Sequence, residues 1–494
     1  MVEVWANPAP YLYIIRSNRH ILCPFVWYPS QGIIYYKGPK GRNVNGVTNN
    51  NITHAHIRPE TAYLDDYCFA SCEKLTDVDI PESVFVIGVG AFASCSSLKE
   101  VKLPSSVTAV SESAFANCSA LENIILPESI KSINSNAFDN CRSLRKIKLP
   151  KSIENINSSA FANCQSLEEI NIPASVKSIS SNTFDNCTIL KKIKLPESIE
   201  SINSSAFANC QSLEEINIPA RVNKVEASVF ENCRSLTGIS LHGGIKSIDD
   251  RAFAKCIKLS AIKLPGSLNV IGAGAFQECV SLKSVAVPQH VTAIYAKAFA
   301  GCTNLTSITL PDGIETIDRE AFLNCRKLKS VVLPKKLKTL PFGVFSGCSS
   351  LKTVEIPANI TTIKGGVFEE SGLTSIIIPE TVRELGDSFE RSPFYQCKKL
   401  KKVVLPKNLT KIGRSMFYEC SSLTSFTIPD KVTTIEEQAF ANCTSLQSVT
   451  IPDSVTNIGR LAFAYCNNLK QVSIPKHAKL GEEAFPPHTK IIRR

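Results

Sequence analysis

The sequence predicts an α/β solenoid of about 18 stacked repeats of 23 residues, and three observations predict it. Cysteines fall at 72, 95, 118 and onward to 348 in steps of 23, then again from 397 to 466. Aligning on them gives a unit A-F-x-x-C-x-x-L-x-x-[IV]-x-[IL]-P-x-x-[IV]-x-x-[IV], as in Ala91, Phe92, Cys95, Leu98, Val101, Leu103, Pro104, Val107 and Val110. The segment SSAFANCQSLEEINIPA recurs unchanged at 158–174 and 204–220, so duplication copied a pair of units. The length of 494 residues would by itself suggest about three domains, but a fixed period overrides that prior.

Each element of the unit has a local reason. The stretch L-x-x-I-x-I-P alternates apolar and polar residues and reads as a short strand with Ile, Val or Leu facing inward. Proline ends it, because it removes a ladder donor and turns the chain. A second, weaker strand follows at V-x-x-I. The segment S-x-x-A-F-x-x-C then reads as a helical or 3₁₀ turn that points Phe and Cys back inward. One unit alone buries almost nothing, and stacking at about 4.8 Å joins the apolar rows into one core.

The unit, with its C-x-x-L-x-x-I-x-L-P and I-x-x-A-F core, resembles the 23-residue leucine-rich repeat of the BspA-like (Treponema-type) family over roughly residues 62–485. That resemblance implies a leucine-rich-repeat solenoid, a curved ribbon with a parallel β-sheet face. It also implies a surface or secreted protein acting in adhesion and recognition. It brings no catalytic residue, since the family motif is a packing motif.

Of the 19 cysteines, 17 occupy the ladder and only Cys23 and Cys68 lie outside it. The spacing offers no C-x-x-C pair and no recurrent histidine, which argues against zinc, and parallel side chains aimed into a core suit disulfide geometry poorly. The ladder cysteines are therefore expected to be small buried hydrophobes.

The outward strand positions form the face available to a partner. Between about residues 145 and 217 basic rungs alternate with acidic or amide ones: Lys146 and Lys148, Glu169 and Asn171, Lys192 and Lys194, Glu215 and Asn217. These are the candidate partner-binding residues, and opposite charges across neighbouring strands stabilise modestly. After residue 238 the strand face becomes mainly Ser, Thr, Ala and Val. One irregularity adds three more candidates. The unit after Cys348 reads GVFEESGL without its cysteine, and the next contains the insertion GDSFERSPFYQC, which carries Phe389, Arg391 and Tyr395.

Three regions follow: a non-repeat N-terminal cap at 1–57, the solenoid at 58–485 with irregular repeats at 365–397, and a C-terminal tail at 486–494. The cap holds Trp5, Trp27 and five tyrosines in apolar runs that read as short strands and hairpins. His54 and His56 give a weak metal signal in a connector.

Met1–Pro10 lacks a basic start followed by an apolar run, so no secretory leader is expected, and the C-terminus carries no anchor motif. No run of 18 apolar residues exists, so no membrane-spanning helix is expected. Cell-surface or secreted location, implied by the resemblance, thus competes with a cytoplasmic one. The net charge of +11 is interspersed, and only the 146/148 and 192/194 rungs approach a basic stripe, which argues against nucleic acid. Seven scattered histidines and the lack of hydrolase, phosphate-loop or metalloprotease motifs argue against an enzyme. The expected function is non-catalytic recognition or adhesion, with a protein or glycan partner and without small-molecule substrate, cofactor or metal. The alternative is an intracellular scaffold organising a protein assembly.

Overall fold

The structure, a computed structural model, describes residues 25–28, 33–36, 52–386 and 392–494, the first two segments by backbone alone. It forms a parallel-strand solenoid of about 19 turns, with no helix among the described residues. The chain divides into two compact units, Met1–Val222 and Asn223–Arg494.

In the first unit the main strands, such as Glu100–Lys102 and Glu169–Asn171, bury their central residue and expose the two flanking it. Strands Glu169–Asn171, Lys192–Lys194 and Glu215–Asn217 run side by side in parallel. The N-terminal segment contributes an antiparallel hairpin, Phe25–Tyr28 with Ile33–Tyr36, whose second strand pairs in parallel with His54–Ile57. The remaining aromatics of the expected cap lie outside the described residues.

In the second unit the shorter strand, read from sequence as the weaker, makes the more continuous ladder. Lys224–Val225, Ser247–Ile248, Val270–Ile271, Ala293–Ile294 and Thr316–Ile317 form one five-stranded sheet. Three main-strand positions there, at 261–263, 330–332 and 353–355, carry no strand, although Ile262, Val331 and Val354 remain buried. The C-terminal segment, expected as a tail, ends in strand Lys490–Arg493, paired in parallel with Gln471–Ile474. Arg494 adds an ion pair to Asp453 at 2.9 Å.

The expected helical turn is absent, for a reason visible in its hydrogen bonds. In Ser111–Cys118 the amides of Ser113, Phe115 and Asn117 donate to carbonyls of the next turn, Ser135, Ala137 and Asp139. Those of Ala114, Ala116 and Cys118 bond back three residues, to Ser111, Ser113 and Phe115. Half the donors a helix needs are thus committed to the neighbouring turn. Ser113 and Asn117 sit at φ of 54° and 61°, which a right-handed helix excludes. The residue before cysteine repeats this left-handed conformation as Asn140, Asn163, Asn186 and Asn209, or as Gly301 and Gly347. Asn and Gly tolerate it best.

The core of each unit is a set of single-residue columns. Phenylalanines stack at ring separations such as 5.4 Å between Phe92 and Phe115 and 5.3 Å between Phe276 and Phe299, with near-parallel planes. Each such pair contributes about 0.5–1.5 kcal/mol beyond its buried area. The ladder cysteines are buried and free, as small buried hydrophobes, and their thiols make hydrogen bonds besides. Cys118 Sγ donates to the Phe92 carbonyl at 3.1 Å, and Cys302 Sγ to that of Phe276 at 3.2 Å. That carbonyl already accepts an amide hydrogen from its own turn, so the thiol occupies the second lone pair.

Candidate binding surface

The alternation of the main strands places the sequence-predicted rungs together on one exposed face of the first unit. Lys146 bridges to Glu169, Glu169 aligns with Lys192, Asn171 with Lys194, and Lys192 with Glu215. Lys148 and Asn217 lie exposed at the ends of the same array. Lys146 Nζ lies 3.0 Å from Glu169 Oε1, and that hydrogen bond raises the lysine's pKa. The acidic rungs thus offset the basic ones within this face.

The irregular turns keep their core columns while the sequence spacing changes. Phe368 and Phe394, 26 positions apart, stack at 5.8 Å, and Cys397 Sγ still donates to the Phe368 carbonyl at 2.9 Å. Ser371, standing in the cysteine column, is buried with its hydroxyl 3.5 Å from Cys397 Sγ. Tyr395 is half-buried and stacks on Tyr418 at 5.0 Å. Phe389 and Arg391 lie outside the described residues.

His54 and His56 face Asp77 and Asp79 across parallel strands, at 3.5 Å and 2.9 Å. Each makes a cross-strand pair, and the described residues hold no group of three or more His, Cys, Asp or Glu that could bind a metal ion. No described helix is long and apolar enough to cross a membrane.

Two further features lie on the second unit, the first at outward positions already read from the sequence. On the strand face of the second unit Val332 is 78% exposed, Ile377 68% and Val404 41%, with Ile377 and Val404 in register. Each stands at an outward position where other turns carry Thr309, Thr427 or Thr450. The other feature is a cavity of about 490 Å³ beside that face, lined by Lys258, Lys283 and Lys327 among hydroxyl and amide side chains. The cysteine period could have flagged the lysines as well, had the columns before the strand been compared across turns.

The sequence matches the family described as BspA type Leucine rich repeat region over residues 62–191, 177–296, 269–393 and 387–492. Among solved structures, a leucine-rich repeat protein from Bacteroides ovatus is 26% identical, covers 97% of this chain and 100% of its own, and has a TM-score of 0.42. A leucine rich cell surface protein from Faecalibacterium prausnitzii is 24% identical over 86% of this chain and 92% of its own, with a TM-score of 0.39. A leucine-rich repeat protein from T. pallidum is 28% identical over 40% of this chain and 79% of its own, with a TM-score of 0.27. No curated protein matches the chain.

Proposed function

The chain belongs to the BspA-type leucine-rich repeat family, repeat proteins that are generally non-catalytic and usually mediate protein interactions or adhesion, and from that premise we propose that it is a recognition protein holding a protein or glycan partner along its strand face. The observation that carries this reading is the exposure of Val332, Ile377 and Val404 on a face whose other outward positions are mostly polar. An exposed aliphatic side chain gains no burial within the fold, whereas an apolar patch gains burial when a partner covers it. The rungs at Lys146, Lys148, Lys192 and Lys194 are a second contact zone on the first unit, their charges arranged to steer an alternating partner.

Capture from host extract and from extract of the source cells tests the proposal. The chain carrying Val332→Ser, Ile377→Ser and Val404→Ser loses most of a bound partner and keeps its thermal midpoint. The chain with Lys146, Lys148, Lys192 and Lys194 all changed to Glu loses binding more strongly at low salt. Partner capture unaffected by either set of changes would refute strand-face recognition.

A further inference from the structure

We infer that the second unit binds a linear acidic polysaccharide, sulfated or carboxylated, in the groove at Lys258, Lys283 and Lys327. The inference rests on the recognition reading above, and it names a ligand class and an edge of the solenoid that the reading leaves open. Three independent observations carry it.

The first is charge left without a counter-ion. In the first unit the residue following the unit's leucine alternates in sign, through Lys99, Glu122, Arg145, Glu168, Lys191 and Glu214, so neighbouring turns cancel. In the second unit the same column runs Thr237, Ser260, Lys283, Thr306, Lys329, Lys352, Thr374, Lys401, without an acid. No ion pair of the described residues involves Lys258, Lys283 or Lys327. Lysines without an acidic partner leave a local positive potential along these turns, and a polyanion can neutralise it.

The second is shape. The cavity runs from Thr237 to Lys327 across five turns, so it is about 19 Å long at 4.8 Å per turn. Lys258 and Lys327 occupy one column three turns apart, about 14 Å, with Lys283 between them in the adjoining column. Its floor is fixed by main-chain bonds: the Lys283 carbonyl accepts from the Thr306 amide at 2.9 Å and from the Thr306 hydroxyl at 3.0 Å. An open hollow of this length lets an extended chain run past all three lysines, and its fixed backbone lowers the ordering cost of binding.

The third is the chemistry of the lining, which is entirely Lys, Ser, Thr and Asn. The lining holds no aliphatic or aromatic residue of the kind that commonly anchors a protein partner. Single-stranded nucleic acid would need aromatic rings on which bases stack, and these are missing too. Hydroxyl and amide groups suit the alcohols of a sugar chain, while ammonium point charges suit its sulfates or carboxylates.

Calorimetric titration of the full chain with a heparin oligosaccharide, in physiological salt, tests this. Hyaluronan, neutral dextran, polyglutamate and a duplex DNA of matched charge are run alongside. The variant Lys258→Ser, Lys283→Ser, Lys327→Ser is expected to weaken heparin binding about ten-fold or more, and to flatten its salt dependence. A control that removes the same charge from the first unit, Lys131→Ser, Lys151→Ser, Lys177→Ser, changes it less than about two-fold. Equal loss in both variants would show attraction by net charge alone and overturn the inference. So would polyglutamate or DNA binding as tightly as heparin. Absence of heparin binding, with strand-face variants still losing their captured partner, sinks this inference and leaves the recognition reading standing.

Discussion

At the scale of single residues the fold is decided by small polar side chains as much as by the apolar columns. The position before each ladder cysteine is held at positive φ, 62° at Asn140 and 59° at Asn163, and these asparagines also link turn to turn, Asn140 Nδ2 donating to Asn117 Oδ1 at 2.8 Å. Where the position carries Lys255 or Glu278, at φ of 61° and 58°, the side chain neither relieves the strain nor belongs to such a link. Changing Lys255 and Glu278 to Asn should therefore stabilise the second unit by about 1 kcal/mol each, read as a rise in its thermal midpoint. An unchanged midpoint would mean the left-handed position carries no strain there. Asparagine at this place is invisible to a search for hydrophobic period. The same blindness hides the serine two residues after proline. Ser129 Oγ donates to the Val107 carbonyl at 2.6 Å and Ser454 Oγ to that of Val432 at 2.7 Å, linking successive turns. The cysteine, phenylalanine and leucine columns were legible because burial demands the same apolar residue at the same place in every turn. Hydrogen bonds to main chain leave only a tolerant polar preference.

At the scale of the element, the turn and the phenylalanine column depend on each other. Amides that bond to the next turn fix the spacing at which consecutive rings meet, and the rings exclude water from those bonds. The insertion before Phe394 shows which constraint governs: the sequence spacing lengthens from 23 to 26 residues, while Phe368, Phe394 and Phe417 keep separations of 5.8 Å and 5.5 Å. Removing one ring should therefore be costly and local. Phe276→Ala deletes contacts to both Phe253 and Phe299 and should destabilise the second unit by about 3–5 kcal/mol. Hydrogen exchange should show the loss concentrated in turns adjoining residue 276, as nearest-neighbour coupling in a repeat array requires. Uniform loss of protection across the unit would contradict that locality. The candidate surfaces divide along the same line. The charged rungs at 146–217 were legible because two outward positions per strand follow from alternation. The Lys258 groove was not, because its residues stand just before the strand, where no alternation rule says which way they face.

At the scale of the whole molecule the cysteine ladder makes stability answer to pH. Burial pushes the Cys118, Cys302, Cys348 and Cys397 thiols up to about 12 and that of Cys72 to about 11. An unfolded thiol titrates near about 8.5. Because the folded values are raised, the folded chain holds protons that the unfolded chain has released. The stability these thiols contribute is complete below about pH 8.5 and falls as pH rises toward 12. At pH 10 each thiol exposed on unfolding lowers stability by about 2 kcal/mol, and many thiols open within one cooperative unit. Thermal midpoints of the reduced protein should therefore drop steeply between about pH 8.5 and pH 10.5. Lysines and tyrosines also titrate there, so the deciding comparison is with Cys302, Cys325 and Cys348 changed together to Ala. That variant starts lower near neutrality, having lost packing and three thiol bonds to the carbonyls of Phe276, Phe299 and Phe322. Its midpoint should then decline less with pH, narrowing the gap to the parent by about 2 kcal/mol per replaced thiol at pH 10. Parallel curves would mean the thiols stay protonated on unfolding, and the alkaline limb would have to come from other groups.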